Sequence, residues 1–148
     1  MEPAEGIGAR GTGAWVPDAA ALSGAWHIRR RIEDARTGLS GSLEGETRWT
    51  PADGGLLQSE TGLLHFGDAA PMQASRRYLW LRDGDGWDIR FDDGWAFHRL
   101  APGRHGDRHH CDPDIYDVTY DFSGWPDWRS VWHVAGPRKK LRIETCYR

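Results

Sequence analysis

A chain of 148 residues has room for one ordinary domain with a real core, and its low hydrophobic fraction of 39% is offset by nine Trp, four Tyr and four Phe, whose rings each bury a large area. The net charge of −3 and pI near 6.1 argue against a nucleic-acid partner held by a basic surface. No apolar run approaches the roughly 18 residues of a membrane-spanning helix, residues 1–20 lack the charged-then-apolar pattern of a secretion signal, and Cys111 and Cys146 alone make no disulfide scaffold, so a cytoplasmic protein with no membrane partner is expected.

Residues 1–17 are rich in Gly and Ala without periodicity and read as a flexible tail, which leaves 18–148 as one domain. Pro17-Asp18 ahead of Ala19-Ala20-Ala21-Leu22 predicts a short helical turn capped by Asp18. From Gly24 onward apolar residues recur with period two, and nineteen Gly and eight Pro break the chain into short runs. This predicts about ten strands, over 26–33, 42–49, 56–64, 73–82, 87–92, 95–100, 107–111, 115–122, 128–136 and 139–147. A strand and turn every ~12 residues is the spacing of a sandwich or barrel.

Strand pairing gives a test of the faces. In the first hairpin, opposing Ile32 to Leu43 sets Arg30 by Gly45, Ile28 by Thr47 and Trp26 by Trp49, and leaves Arg31–Glu44 and Arg29–Glu46 on the other face. Carried into the third strand, this register places Trp49 opposite Leu56 and Gly45 opposite Glu60. Arg30, Gly45 and Glu60 then form one inner row, in which the planar Arg fork reaches the carboxylate over the gap that Gly45 leaves. The pair reads either as a structural tie between strands or as a ligand contact.

In the fourth strand Arg76, Tyr78 and Trp80 share a face, and the turn at Asp83-Gly84-Asp85-Gly86 sets Tyr78 beside Phe91 and Trp80 beside Ile89. The Asp92-Asp93-Gly94 turn admits two loops. A two-residue loop puts His98 inside; a three-residue loop with Gly94 left-handed puts it outside and gives the better apolar pairs, Ile89–Phe97 and Phe91–Trp95. The last hairpin, around Gly136-Pro137-Arg138-Lys139, pairs Val134 with Leu141, Trp132 with Ile143 and Trp128 with Tyr147, and its reverse face holds His133–Arg142 and Val131–Glu144. With sequential hairpins and no amphipathic helix of ten residues, the reading is all-β: a single antiparallel up-and-down barrel, whose closure removes the sheet edges.

Gly24-Ala25-Trp26, Glu60-x-Gly62-x-Leu64, Arg77-Tyr78-x-Trp80, Phe97-His98, His109-x-Cys111-x-Pro113-Asp114-x-Tyr116 and Trp132-x-Val134-x-Gly136-Pro137-Arg138-Lys139 occur in that order. Together they resemble an uncharacterised family of small bacterial domains of unknown function. The resemblance covers about 22–148 and implies a calycin-like barrel, similar to lipocalins and fatty-acid-binding proteins; it implies no known activity and transfers no catalytic residue. In lipocalins the Trp of Gly-x-Trp plugs one barrel end under an Arg late in the last strand, a part that Arg148 or Arg142 would play here. The short connection from Glu33 to Ser42 has no room for the helical lid of fatty-acid-binding proteins, and the chain ends on a strand where lipocalins carry a helix. Haem-binding ten-stranded barrels of the nitrobindin type use a His near the C-terminus, and 139–147 contains none, so no cofactor is expected.

The predicted inner face mixes polar groups with rings. Arg30, Glu60, Arg76, Tyr78 and Trp80 suit an anionic head on an apolar or aromatic body, and His109, Cys111, Tyr116 and Tyr120 extend the set as ligand-binding candidates. His109-x-Cys111 with His98 nearby has metal-capable atoms, yet no CxxC or HExxH spacing supports it, and no metal is expected. A Cys-His nucleophile lacks a third orienting group. Three functions follow: a binding protein for a small molecule, an enzyme using Glu60, His109 and Tyr78 as acid and base, or an interaction domain presenting Trp125 from the turn Gly124-Trp125-Pro126-Asp127-Trp128. The expected partner is a small-molecule ligand, with a homodimer left open.

Overall fold

The structure, a computed structural model, describes residues 15–148. Asp18 opens the ordered pattern: its carboxylate accepts from the Ala21 amide at 2.9 Å and caps α1 (Ala19–Leu22). Ten strands follow: β1 (Gly24–Asp34), β2 (Ser40–Ala52), β3 (Gly55–Phe66), β4 (Met72–Asp83), β5 (Gly86–Phe91), β6 (Ala96–Leu100), β7 (Gly106–Cys111), β8 (Asp114–Asp121), β9 (Trp128–Gly136) and β10 (Lys139–Tyr147). They form one antiparallel sheet in the order β6-β5-β4-β3-β2-β1-β10-β9-β8-β7. Because β1 pairs with β10, the sheet's two edges are β6 and β7, consecutive in the chain. These edges meet at an Ala101–Arg104 bridge, and the Arg99 amide donates to the Asp107 carboxylate at 2.7 Å instead of to a backbone carbonyl. The result is a nearly closed up-and-down barrel.

The β4–β5 and β9–β10 pairings are those read from the sequence: Tyr78–Phe91 and Trp80–Ile89, then Val134–Leu141, Trp132–Ile143 and Trp128–Tyr147. The first two hairpins differ. Ile32 faces Gly41, Arg30 faces Leu43 and Trp26 faces Thr47, so the expected Ile32–Leu43 register is two residues out. β1 runs on to Asp34, whose carboxylate accepts from the Arg36 and Thr37 amides and folds the turn. At the next hairpin Ala52 pairs with Gly55 around Asp53-Gly54, with Gly54 at φ 79°, so Trp49 faces Gln58 rather than Leu56 and Gly45 faces Gly62 rather than Glu60. A slip of two leaves every side chain on its expected face and changes only its partner.

At the β5–β6 turn both expected registers occur. Gly94 is left-handed, at φ 94°, and the Phe91 amide bonds the Trp95 carbonyl, as the longer loop requires. A bulge then separates Arg90–Ala96 from Ile89–His98, which is the pairing of the shorter loop. The extra residue is Phe97, and beyond it His98 is buried on the inner face.

One barrel end is filled by rings. Trp128 stacks on Tyr147 at 3.8 Å with planes 4° apart, fully buried Trp49 lies beside both, and Trp80 links Trp49 to the equally buried Trp87; each such ring pair adds about 0.5–1.5 kcal/mol to area burial. The chain ahead of β1 closes this end. Trp87 Nε1 donates to the Pro17 carbonyl and Trp26 Nε1 to the Leu22 carbonyl, both at 2.8 Å. Residues 15–17, expected within a loose tail, therefore pack on the barrel, with Val16 buried and Trp15 against Phe122 and Trp125; residues 1–14 of that expected tail lie outside the described residues. Trp26 meets Trp125 and Trp128. The expected Arg cover is not seen: Arg142 lies outside, on Glu33 and Glu144, while Arg148 pairs its backbone with His27. No helix among the described residues is long and apolar enough to cross a membrane.

Candidate functional site

Away from the ring-filled end the inner wall encloses a cavity of about 400 Å³, a size within the usual range for small-molecule sites. All nine ligand-binding candidates border it: Arg30, Glu60, Arg76, Tyr78, Trp80, His109, Cys111, Tyr116 and Tyr120. Buried Trp80, Tyr120 and Tyr147 form its floor, toward the rings; Arg76 and Cys111 are exposed at the other end.

The polar wall begins with Arg30 and Glu60, 7% and 3% exposed. Two parallel bonds join them, Nη1 to Oε1 at 2.7 Å and Nη2 to Oε2 at 2.8 Å, and Arg30 Nε donates to Thr145 Oγ1 at 2.8 Å. Burial alone would ease the proton from Arg30, but the hydrogen bonds and charge of Glu60 outweigh it and hold the guanidinium more firmly protonated than usual. Arg76, directly opposite Glu60, brings Nε within 3.6 Å of the same carboxylate, and its Nη1 donates to the Tyr78 hydroxyl at 3.3 Å. Among the described residues the lining thus holds two guanidinium groups against one carboxylate, and Arg30 occupies both of its oxygens.

On the opposite side His98 Nε2 and the Tyr120 hydroxyl are 2.8 Å apart, and His98 Nδ1 is buried with no protein partner among the described residues. Burial lowers the His98 pKa to about 3, and it pushes the Tyr120 phenol well above its ordinary value, so both stay neutral near pH 7. Between the two groups run rings. Phe97 stacks on Phe91 at 4.3 Å and on Trp132 at 4.9 Å, and His109 stands edge-on to Phe97 at 5.2 Å.

Several lining residues escaped the sequence reading. Gln58, Ser130 and Thr145 share the period-two face of Glu60, Trp132 and Tyr147, so the signal was present in residues too small or too neutral to draw notice. Phe97 and His98 depended on the bulge, which no local pattern announces.

The same geometry bears on chemistry. Glu60, proposed as an acid or base, has both oxygens engaged by Arg30, and Tyr78 accepts from Arg76. His98 commits Nε2 to Tyr120, and among the described residues no three His, Cys, Asp or Glu side chains gather as metal ligands. Trp125 is not a free surface ring: it packs with Trp15, Trp26 and Trp128 in closing the barrel end.

Residues 22–148 match a family described as a family of unknown function (DUF6314). Among solved structures the barrel is similar to the S-type phycobiliprotein lyase CPES from Guillardia theta, with a TM-score of 0.56 over 86% of each chain and 8% identity, a likeness of fold alone. No curated protein matches the sequence.

Proposed function

The chain belongs to the DUF6314 family, whose function is unknown, and from that premise we propose that its calycin-like barrel is a cytoplasmic binding protein for a small anionic molecule with an apolar or aromatic body. The observation that carries this is the charge inventory of the cavity. Arg30 and Glu60 neutralise one another, and Arg76, half-exposed at the entrance beside the Tyr78 hydroxyl, supplies a net positive charge facing an aromatic wall. A carboxylate, sulfonate or phosphate meeting that guanidinium makes charge-assisted hydrogen bonds, while its body displaces water from Phe97 and Trp132.

A barrel of this shape also serves a lyase, as the Guillardia theta protein shows for itself. For this chain the double grip of Arg30 on Glu60 favours binding over acid–base chemistry, because a free base needs an oxygen within reach of the substrate proton.

The test is a fluorescence titration with 1-anilinonaphthalene-8-sulfonate, an anionic aromatic dye. Saturable binding of about one dye per chain is expected, weakened about tenfold or more by Arg76→Gln, as befits loss of a hydrogen bond to a charged group. Absence of saturable binding, or equal affinity in the variant, would overturn the reading.

A further inference from the structure

The polar residues of the cavity are not scattered. Tyr120 faces Ser130, Ser130 faces Thr145 and Thr145 faces Arg30, so these four form one continuous row across β8, β9, β10 and β1. Hydrogen bonds close the row at its ends and not at its centre. Thr145 is tied to Arg30 and through it to Glu60, while Tyr120 is tied to His98. Between these ends, among the described residues, Ser130 Oγ reaches only the Tyr147 hydroxyl, at 3.5 Å.

Proton counting defines what the His98–Tyr120 end can accept. A neutral imidazole carries one N–H and a neutral phenol one O–H, and their mutual bond uses one of the two. Whichever tautomer His98 adopts, one donor remains, on Nδ1 or on the phenol oxygen, together with an acceptor lone pair. Both residues are at least nine-tenths buried, where an unmet polar group is costly, and both border the cavity. A ligand hydroxyl, able to donate or to accept, suits the phenol oxygen in either tautomer. A second anion would find no cation there, since Arg30 is already paired with Glu60, and an ammonium group could not accept the spare proton.

We infer that the occupant of the cavity is an aromatic hydroxy acid, its anionic group at Arg76, its ring along the Phe97–Trp132 face and its hydroxyl at the Tyr120 phenol that His98 holds in place. This rests on the binding reading above and adds the second functional group to it.

The test compares 2-naphthoate with 6-hydroxy-2-naphthoate by isothermal titration at pH 7, with the sulfonate dye as reference. Wild type is expected to bind the hydroxy acid about tenfold or more tightly, the ratio that one hydrogen bond to a buried partner supports. Tyr120→Phe should bring the ratio to about one while 2-naphthoate affinity holds, and Arg76→Gln should weaken both acids alike. His98→Gln, expected to reduce the ratio as well, serves if Tyr120→Phe does not fold. Equal affinities in wild type, or an undiminished ratio in folded Tyr120→Phe or His98→Gln, would overturn the inference. If the dye binds and neither acid does, the hydroxy-acid assignment falls and the binding reading stands; if none of the three binds, both fall.

Discussion

Arg30 on β1 grips Glu60 on β3 through two parallel hydrogen bonds of 2.7 and 2.8 Å, although neither is the other's row partner in the sheet. Arg30 lies opposite Leu43 and Glu60 opposite Thr47, so their diagonal crosses β2 between those residues, where Gly45 contributes no side chain. With both groups under a tenth exposed, removing Arg30 leaves the buried Glu60 carboxylate only the longer contact to half-exposed Arg76. Arg30→Met should therefore lower the unfolding free energy by about 3–5 kcal/mol, and the double variant Arg30→Met, Glu60→Leu should recover most of that loss. Urea unfolding of the two variants measures it; a single variant as stable as wild type contradicts a buried, mutually dependent pair.

Gly45 itself should resist substitution. A Cβ at this position would collide with the Thr61 carbonyl oxygen and crowd the facing Gly62 at 2.5 Å, both of them backbone that cannot rotate away. Gly45→Ala is expected to destabilise by about 2 kcal/mol or more, through displaced strands rather than lost contacts. Gly84→Ala makes the contrast: no neighbour stands within 4 Å, and its cost comes only from the turn's φ of 58°. A larger loss at Gly84 than at Gly45 would refute the steric account.

Acid should weaken the fold through His98. Its imidazole titrates near 6.5 in an unfolded chain and near 3 when buried here, so between those values only the unfolded state takes up the proton. The contribution is complete above about pH 6.5 and is lost as pH falls toward 3, with a slope of up to about 1.4 kcal/mol per pH unit. Denaturant midpoints measured from pH 7 to pH 4 should drop less steeply in His98→Gln than in wild type. Parallel profiles would mean that other groups carry the acid sensitivity.

The segment ahead of β1 is fastened by indole donors. Trp87→Phe keeps a buried ring and deletes the 2.8 Å bond to the Pro17 carbonyl, leaving that acceptor unmet. A loss of about 1–3 kcal/mol is expected, accompanied by faster amide exchange at Val16, which the same segment holds against the core. By contrast Trp95→Ala, at a ring 74% exposed, should change stability by no more than about 0.5 kcal/mol.

How far the site was legible depends on which signal carried each residue. Arg30, Glu60, Tyr78 and Tyr120 were placed on the inner face by alternation alone, and they line the cavity. His98 stays open in the sequence, because the residues after Asp92 admit two loops, the longer with the better apolar pairs, and the chain uses both, one on each side of a bulge at Phe97. The Arg30–Glu60 pair was anticipated on a row that does not exist. Both the β1–β2 and β2–β3 registers are offset by two from expectation, which makes Leu64 the residue in line with Arg30, and the long guanidinium stem reaches Glu60 diagonally instead.

Alternation along a strand is a local property with period two, so the residues alone give about ten strands, their succession as hairpins and the face of each side chain outside the β5–β6 bulge. The sequence also carried the family likeness over 22–148. Barrel assembly decides which residues face one another, that Phe97 and His98 both turn inward, and that half-exposed Arg76 stands beside a Glu60 already paired with Arg30. Those outcomes depend on turn length, on a bulge and on closure of the barrel, and each sums small preferences over residues far apart in the chain. A register shift of two costs no alternation, so nothing local in the sequence registers it.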